Sequence, residues 1–225
     1  GENFNKGMDG VTPLIAGICT EHQEKELLQH LKSDQELWSC VGISTVDMSA
    51  SYFYDNGYWN GSVWYPYQYL IWKAMLDIGE NAFAYKIAER ALTSWKQETE
   101  FSYNTFEMMQ IETERGGWFH QFSGLSSPIV TWYHAYYKKG SVTTGYETWI
   151  EKQWFSEDYT EAIIHYELNE KKKNGMIIVM DSDYDYQVFV NGKLVKYEEH
   201  ADGALEISLS EKKGEIKVVK NEEIL

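Results

Sequence analysis

"YWNGSVWYPYQYLIWKAMLDIG", residues 58–79, joins an aromatic loop to an apolar stretch with helical periodicity. Pro66 fits the first turn of the predicted helix, and apolar side chains then recur at helical spacing as far as Gly79. The loop itself combines three rings with an amide and a glycine: Tyr58, Trp59, Asn60, Gly61 and Trp64. A glycine lets a ligand approach the backbone, an amide offers a donor and acceptors, and rings offer flat apolar faces. Such a mixture suits a sugar, and the alternative is an aromatic core at the entrance of a helix.

Three further helices are predicted around this segment. Thr20 and Gln23 form a capping box before the first, the next covers Asn81 to about Glu98, and the last starts at Pro128 and ends near Gly140. A loop of 28 residues, 99–126, separates the last two helices. Loops of that length are usually functional.

The periodicity changes from helical to alternating near residue 155. Strands are predicted around 177–180 and 186–190, and Asn191-Gly192 is a favoured two-residue hairpin turn. "ALEISLS" and "GEIKVVK" predict two more strands. We therefore expect a helical domain over residues 1–155 and a small antiparallel β-sandwich over residues 156–225.

The composition limits the partners. The formal net charge of −15 argues against nucleic acid and anionic membranes, because binding phosphates requires clustered Lys and Arg. Aromatic residues make up 16% of the chain, more than packing alone requires, which favours a neutral ligand with apolar faces.

Neither a membrane span nor a secretion signal is predicted. No apolar stretch is long enough to cross a bilayer, so we expect a soluble protein, and the compartment stays open between cytoplasm, periplasm and secretion. Cys19 and Cys40 lack zinc-ligand spacing and are predicted to be buried thiols, with a bridge between them left open.

The long loop carries the residues that could perform chemistry. It contains three carboxylates, Glu107, Glu112 and Glu114, among polar and aromatic side chains. The neighbours that could contact a polyhydroxylated ligand are Tyr103, Asn104, Trp118, His120 and Gln121. A carboxylate in such surroundings can activate water, although a solvated glutamate and a structural histidine are the common alternatives.

Residues 7–150 resemble the C-terminal part of the catalytic domain of (α/α)6-toroid glycosidases, especially glycoside hydrolase family 63 and its mannosylglycerate-hydrolase-like relatives. Three stretches in this order carry the resemblance: "DGVTPLIAGICTEHQEKELLQHL", "YWNGSVWYPYQYLIWKAMLDIG" and "YNTFEMMQIETERGGWFHQFSGLSSPIVTWYHAYY". The implied fold is mainly α with a β module, in which a partial (α/α)6 toroid of helical hairpins precedes the sandwich.

The resemblance implies a role for each site residue. Glu107 corresponds to the general base of an inverting hydrolysis, acting on an α-glycosidic bond in an oligosaccharide or small glycoside. Tyr58, Trp59 and Trp64 match aromatics that line the sugar site, and Gln121 matches a hydrogen-bonding contact. The weaker candidates for the same pocket are Asn60, Gly61, Tyr103, Trp118 and His120. Asn60 stands where family 63 commonly has Arg, which leaves the leaving-group specificity open.

The general acid is expected outside this chain. In the resembled family it is an Asp far upstream of the base, beyond the 106 residues that precede Glu107 here. Asp9 is a candidate by residue type only. We therefore expect an incomplete catalytic domain that is inactive alone, with exposed helix faces covered by the remainder of that domain or by a second copy of the chain.

Two other functions remain as alternatives. The chain could be a non-catalytic carbohydrate-binding or assembly module, or a polysaccharide lyase in which Tyr103 and His120 serve as base and acid. No cofactor and no metal are implied. Asp181, Asp183 and Asp185 have the spacing of some calcium loops, but the glycine and terminal glutamate of an EF-hand are missing, so a hairpin turn is favoured.

Overall fold

The computed structural model describes residues 6–169 and 173–221, and the chain divides into two compact units. The first unit comprises Gly1–Ala74 and Lys86–Thr131, and the second comprises Met75–Tyr85 and Trp132–Leu225. The assignment of residues 1–155 to a catalytic domain and of residues 156–225 to a sandwich domain stays a prediction.

Six α-helices form within the described residues, together with a short 3₁₀ helix at Met8–Val11. They are α1 (Thr12–Ile15), α2 (Glu21–Lys32), α3 (Tyr65–Asp77), α4 (Asn81–Ser102), α5 (Ser123–Ser126) and α6 (Pro128–Tyr137). The predicted capping box of α2 is confirmed, because the Thr20 side chain accepts from the Gln23 N–H and the Gln23 side chain accepts from the Thr20 N–H. Pro128 stands at the first position of α6, as expected.

Twelve β-strands form in the same described ranges. They are β1 (Trp38–Ser39), β2 (Gly42–Ile43), β3 (Phe106–Met109), β4 (Gly116–His120), β5 (Ser141–Thr144), β6 (Thr148–Phe155), β7 (Glu161–Leu168), β8 (Asn174–Val179), β9 (Tyr186–Val190), β10 (Lys193–Val195), β11 (Ala204–Leu209) and β12 (Lys213–Lys220).

The prediction of a mainly helical chain with a partial (α/α)6 toroid is wrong. Helix and strand take comparable shares, about 32% and 31%. The predicted loop contains the hairpin β3–β4, and residues 141–155, which fall within the predicted helical domain, form β5 and β6. The β-branched run Val142, Thr143 and Thr144 favours extended backbone and signals the first of these strands.

The second unit is built on two antiparallel sheets. One has the strand order β10-β9-β12-β7-β6 and the other the order β11-β8-β5. Alternate residues of β7, namely Ala162, Ile164, Tyr166 and Leu168, join one apolar cluster with side chains from both sheets. The predicted Asn191-Gly192 turn is confirmed, because Val190 pairs with Lys193 and both turn residues have positive φ, 50° and 75°.

The first unit packs short strands and loops against helices. Gln68 of α3 makes two hydrogen bonds with the backbone of Ile43, accepting from its N–H at 2.9 Å and donating to its carbonyl at 2.8 Å. The Tyr65 hydroxyl lies 3.0 Å from the Ser94 hydroxyl of α4. Burial raises the pKa of Tyr65, so its phenol stays protonated in this core.

The two cysteines are free thiols: Cys19 is half-buried and Cys40 is exposed, so the prediction that they are buried is wrong. Among the described helices, none combines the length and the apolar character that a membrane crossing needs.

Candidate active site

The loop 58–64 is held by hydrogen bonds to its own neighbourhood. Asn60 donates from its side chain to the Tyr52 carbonyl at 2.9 Å, so the amide is engaged within the loop. Gly61 is buried, and a Cβ at this position would overlap the carbonyl oxygen of Tyr54. The absence of a side chain therefore allows close packing of backbone on backbone. Trp64 donates its indole N–H to the Tyr58 carbonyl at 2.8 Å, which orders both ends of the loop.

A short β-bridge joins this loop to the hairpin that carries Glu107. The Val63 N–H donates to the Met109 carbonyl and the Met109 N–H donates to the Val63 carbonyl, each at 2.9 Å. Val63 and Met109 are both buried. The two sequence motifs, which lie far apart in the chain, are thus connected through backbone.

The hairpin β3–β4 contains a β-bulge opposite Glu107. Phe106 pairs with His120 and Met108 pairs with Gly117, so Trp118 and Phe119 together oppose the single residue Glu107. Trp118 has a φ of 61°. A bulge redirects side chains and is common beside active sites.

Positive φ values concentrate in this part of the first unit. Six described residues other than glycine have positive φ, and four of them lie between 103 and 121: Tyr103, Glu114, Trp118 and Gln121. Such conformations cost energy and persist only where the surrounding structure imposes them, often at functional sites.

Glu107 is buried, with 6% of its surface exposed, and Tyr58 donates its phenol hydroxyl to the Oε1 atom of this carboxylate. The other oxygen, Oε2, is also buried and has no hydrogen-bond partner among the described residues. The hydrogen bond to Glu107 is the main cause that raises the pKa of Tyr58, followed by burial, so the phenol stays a proton donor. A buried carboxylate oxygen without a partner is costly, and Oε2 lacks a hydrogen-bond donor among the described residues.

Indole rings surround the Tyr58–Glu107 pair. Trp59 stacks on Trp64 with centroids 3.9 Å apart and planes 5° apart. The Tyr58 ring contacts Trp64 edge-on at 4.9 Å and Trp118 at 4.7 Å. Trp64 is buried, whereas 49% of Trp59 and 58% of Trp118 are exposed. The cluster therefore has a buried carboxylate and two indoles open to solvent.

An ion pair between the half-exposed Arg115 and the buried Glu98 holds the start of β4. Arg115 donates from Nε to the Oε2 atom of Glu98 at 2.5 Å and from Nη2 to the Oε1 atom at 3.4 Å. Burial acts to raise the pKa of Glu98, but the hydrogen bonds from Arg115 and from the Gly116 N–H outweigh it and lower the pKa. This pair anchors the strand that carries Trp118.

A cavity of about 740 Å³ lies in the first unit and includes Trp59 in its wall. Trp64 covers one face of Trp59, so the surface that lines the cavity belongs to the remaining face and edges of this indole. Tyr52, Tyr67 and Asp9 also line the cavity, whereas Glu107 does not. The structure thus puts Asp9, a candidate acid by residue type, in a cavity that shares Trp59 with the ring cluster.

Tyr103, His120 and Gln121 make no hydrogen bond or ring contact with the Tyr58–Glu107 pair among the described residues. Tyr103, after the end of α4, is 89% exposed, and the aromatic contacts around Tyr58 do not include it. His120 and Gln121 are exposed at the end of β4, where the Gln121 N–H donates to the Thr105 carbonyl at 2.7 Å. The structure therefore brings together Tyr58, Trp59, Trp64, Glu107 and Trp118 of the predicted set.

No cluster of three or more metal-ligating side chains occurs within residues 6–169 and 173–221. Asp181, the first of the three spaced aspartates, pairs with Lys139 at 2.7 Å, and this hydrogen bond is the main cause that lowers the pKa of Asp181.

Tyr67 lines the cavity, although the sequence pattern predicts it to be a core residue. Its position in the apolar stripe of α3 predicts burial, but its ring is half-buried, meets Trp59 edge-on at 6.0 Å and lines the cavity. A hydroxyl within an otherwise apolar stripe is the signal that could have identified it.

Comparison with known proteins supports the predicted resemblance. Residues 5–115 match the family model of the mannosylglycerate hydrolase MGH1-like glycoside hydrolase domain. No curated protein sequence matches the chain.

Solved structures from Thermus thermophilus are similar to part of the chain. An uncharacterized conserved protein has 22% identity and a TM-score of 0.51, over 57% of this chain and 32% of that protein. A GH63 mannosylglycerate hydrolase in complex with glucose has 22% identity and a TM-score of 0.50, over 58% and 31%. The same enzyme with Tris and D-glycerate has 23% identity and a TM-score of 0.50, over 57% and 30%. The alignments thus cover about a third of these structures, and at this identity they establish a similar fold in the aligned part.

Proposed function

We propose that this chain, whose residues 5–115 match the model of an MGH1-like glycoside hydrolase domain, supplies the general base and part of the sugar pocket of an inverting glycosidase. The observation that carries the proposal is the buried Glu107 carboxylate, which is bound by Tyr58 on one oxygen and open on the other.

Glu107 acts through its two oxygens in different ways. Tyr58 holds Oε1 and fixes the orientation of the carboxylate, while Oε2 binds the attacking water and takes its proton. As the water adds to the anomeric carbon, the glycosidic bond breaks and a general acid protonates the departing oxygen. The low exposure of Glu107 supports this role, because a base that is shielded from bulk solvent interacts more strongly with a bound water.

The exposed indoles form the apolar wall of the pocket. Trp59 and Trp118 offer ring faces to the C–H face of a sugar, and their position around Tyr58 supports a sugar ring close to Glu107. Gln121, His120 and Tyr103 are proposed as outer hydrogen-bonding contacts, because their side chains are exposed.

An inverting reaction also needs a general acid, with its carboxyl group roughly 6.5–9.5 Å from the base. We assign this acid to sequence beyond the present chain, following the resemblance, and the remainder of the catalytic domain is then the proposed partner. Asp9 is the alternative within the chain, because it lines the cavity that Trp59 also lines.

The proposed substrate is a neutral oligosaccharide or small glycoside with an α-glycosidic bond. The net charge of −15 disfavours acidic polymers. The solved relatives hold glucose in one crystal and the hydroxy acid D-glycerate in another, and the neutral one, glucose, supports hexosides as first substrates to test.

The test replaces Glu107 by Gln in the longer protein that contains both this chain and its upstream sequence. We expect kcat to fall by about a thousandfold on an α-glycoside, because an amide cannot accept the proton of water. The Gln side chain can still accept from Tyr58, so the melting temperature should stay within a few degrees of wild type. Glu112→Gln is the matched control, since this glutamate is exposed and lies on the adjoining loop.

Retention of near-normal hydrolysis by the Glu107→Gln variant would refute the assignment of the base. Loss of activity in both variants would also contradict it, because the effect would then not be specific to the buried carboxylate.

A further inference from the structure

Two exposed tryptophans lie on β6, which is an edge strand of the five-stranded sheet. Trp149 is 54% exposed and Trp154 is 50% exposed. An indole gains more from burial than most side chains, so two indoles left open on one strand need an explanation.

A β-bulge puts both indoles on the same face of the sheet. Residues five apart on a regular strand point to opposite faces. The register shift at Glu151, between Ile150 and Lys152, adds one residue, so that Trp149 pairs with Glu167 and Trp154 pairs with Ile163. The core-facing residues of β7 alternate with these partners, and both tryptophans therefore lie on the outer face.

The two indoles are separated by polar groups. Their partners on β7, Glu167 and Ile163, are four residues apart, which is about 13 Å at the usual rise of a strand. Lys152 pairs with His165 between them, and His165 lies 3.7 Å from Glu215 on the next strand. Protein interfaces are depleted of charge at their centre, so this alternation of rings and charged side chains favours a polar ligand over a protein.

A cleft of about 230 Å³ opens beside Trp149. It is smaller than the roughly 300–1,000 Å³ of pockets that enclose drug-sized molecules, so it accommodates a single ring. Glu151, Glu167 and Asn169 line it and present oxygen acceptors next to the indole.

The carboxylates of this cleft are held in place. Lys213 pairs with Glu151 at 2.6 Å and with Glu167 at 3.3 Å, and these two hydrogen bonds are the main causes that raise the pKa of Lys213. Lys212 also lines the cleft, and Asn169 donates from its side chain to a third glutamate, Glu147, at 2.5 Å.

We propose that the outer face of this sheet is a second saccharide-binding site, in which Trp149 stacks on one sugar ring within the cleft and Trp154 stacks on a later ring of the same neutral chain. Glu151 and Glu167 accept hydrogen bonds from sugar hydroxyls beside Trp149. The site takes no part in hydrolysis, and it does not depend on the role proposed for Glu107.

The experiment titrates the intact chain with maltohexaose, cellohexaose and mannohexaose, by calorimetry and by the indole N–H signals in NMR. At least one of these neutral hexasaccharides should bind and shift the Trp149 and Trp154 signals. Trp149→Ala should weaken that binding about tenfold and Trp154→Ala several-fold, whereas Trp149→Phe should retain part of it. Leu194→Ala is the matched control, because this 63% exposed side chain lies on β10 at the other edge of the sheet.

Failure of all three sugars to bind would overturn the proposal, and so would binding that both tryptophan variants leave unchanged. The Glu107→Gln variant should bind at this face like wild type, so failure of this inference and failure of the proposed hydrolysis are distinguishable. Equal melting temperatures of the variants and wild type would show that lost binding does not reflect unfolding.

Discussion

Glu107 in the first unit and Glu206 in the second are buried carboxylates with the same local arrangement. Each has one oxygen in a hydrogen bond, from Tyr58 in the first case and with His200 Nδ1 at 3.1 Å in the second. In each, Oε2 is buried without a hydrogen-bond partner among the described residues. Burial and an open oxygen therefore do not by themselves identify a catalytic group.

The surroundings of the two carboxylates differ. Glu206 lies within the regular ladder of β11, paired with Ile177 and bridged to Glu198. Its partner His200 stacks on Tyr85 at 5.3 Å. Glu107 instead faces a bulge and lies beside indoles that are half exposed. The irregular backbone and open rings give Glu107 a ligand-binding environment, whereas Glu206 is part of a closed core.

The largest expected effect comes from disrupting the loop beside Glu107. Gly61→Ala would drive a Cβ into the Tyr54 carbonyl, and because a backbone atom cannot move aside cheaply we expect a loss of about 3 kcal/mol or more in unfolding free energy. Urea unfolding measures the loss, and near-UV circular dichroism reports the stacked Trp59–Trp64 pair. In Gly124→Ala, the matched control, the nearest atom lies at 4.0 Å, so stability should be nearly unchanged. Equal stability of the two variants would contradict this account of the loop.

A smaller effect is expected from the titration of Glu206. Burial, the largest cause, raises the pKa of Glu206 from 4.5 to about 7, His200 acts to lower it and Glu198 adds to the rise. Because the folded state holds the proton more tightly, the stabilisation is fully present below pH 4.5 and is lost as the pH rises through about 7. A shift of this size corresponds to roughly 3 kcal/mol at most.

Calorimetric melting temperatures at pH 5 and pH 8 test this titration. Wild type should lose stability relative to Glu206→Gln as the pH rises, because the amide stays neutral. Glu215→Gln, at an exposed position on β12, is the control and should not change the pH dependence in the same way. A constant difference between wild type and Glu206→Gln across this range would exclude a titrating Glu206.

Local signals in the sequence predict some of these features and miss others. The cap at Thr20 and the turn at Asn191-Gly192 depend on neighbouring residues, and the sequence predicts both. The pairing of β5 with β8 joins segments about thirty residues apart, and no local pattern encodes it. Sequence patterns therefore underestimate the strand content before residue 156, and with it they miss the fold class.

Local sequence patterns likewise predict only part of the candidate site. Ring type and motif order point to Tyr58, Trp59, Trp64 and Trp118 as neighbours of Glu107, and the structure brings these side chains together. The bulge opposite Glu107 could not be predicted, because a one-residue register shift leaves no periodic signal. The close packing of Gly61 could not be predicted either, because it depends on the position of the loop backbone at Tyr54.

The smallest expected effect concerns Tyr58, the hydrogen-bond partner that distinguishes the surroundings of Glu107 from those of Glu206. Tyr58→Phe keeps the ring contacts with Trp64 and Trp118 but removes the donor to Oε1. In the longer protein we expect kcat/KM to fall about tenfold, since the carboxylate loses its orientation and a hydrogen bond to its charged form. Tyr54→Phe is the control, because this exposed tyrosine contributes its backbone carbonyl to the loop. Unchanged activity of Tyr58→Phe would assign Tyr58 a packing role and remove the distinction between the two carboxylates.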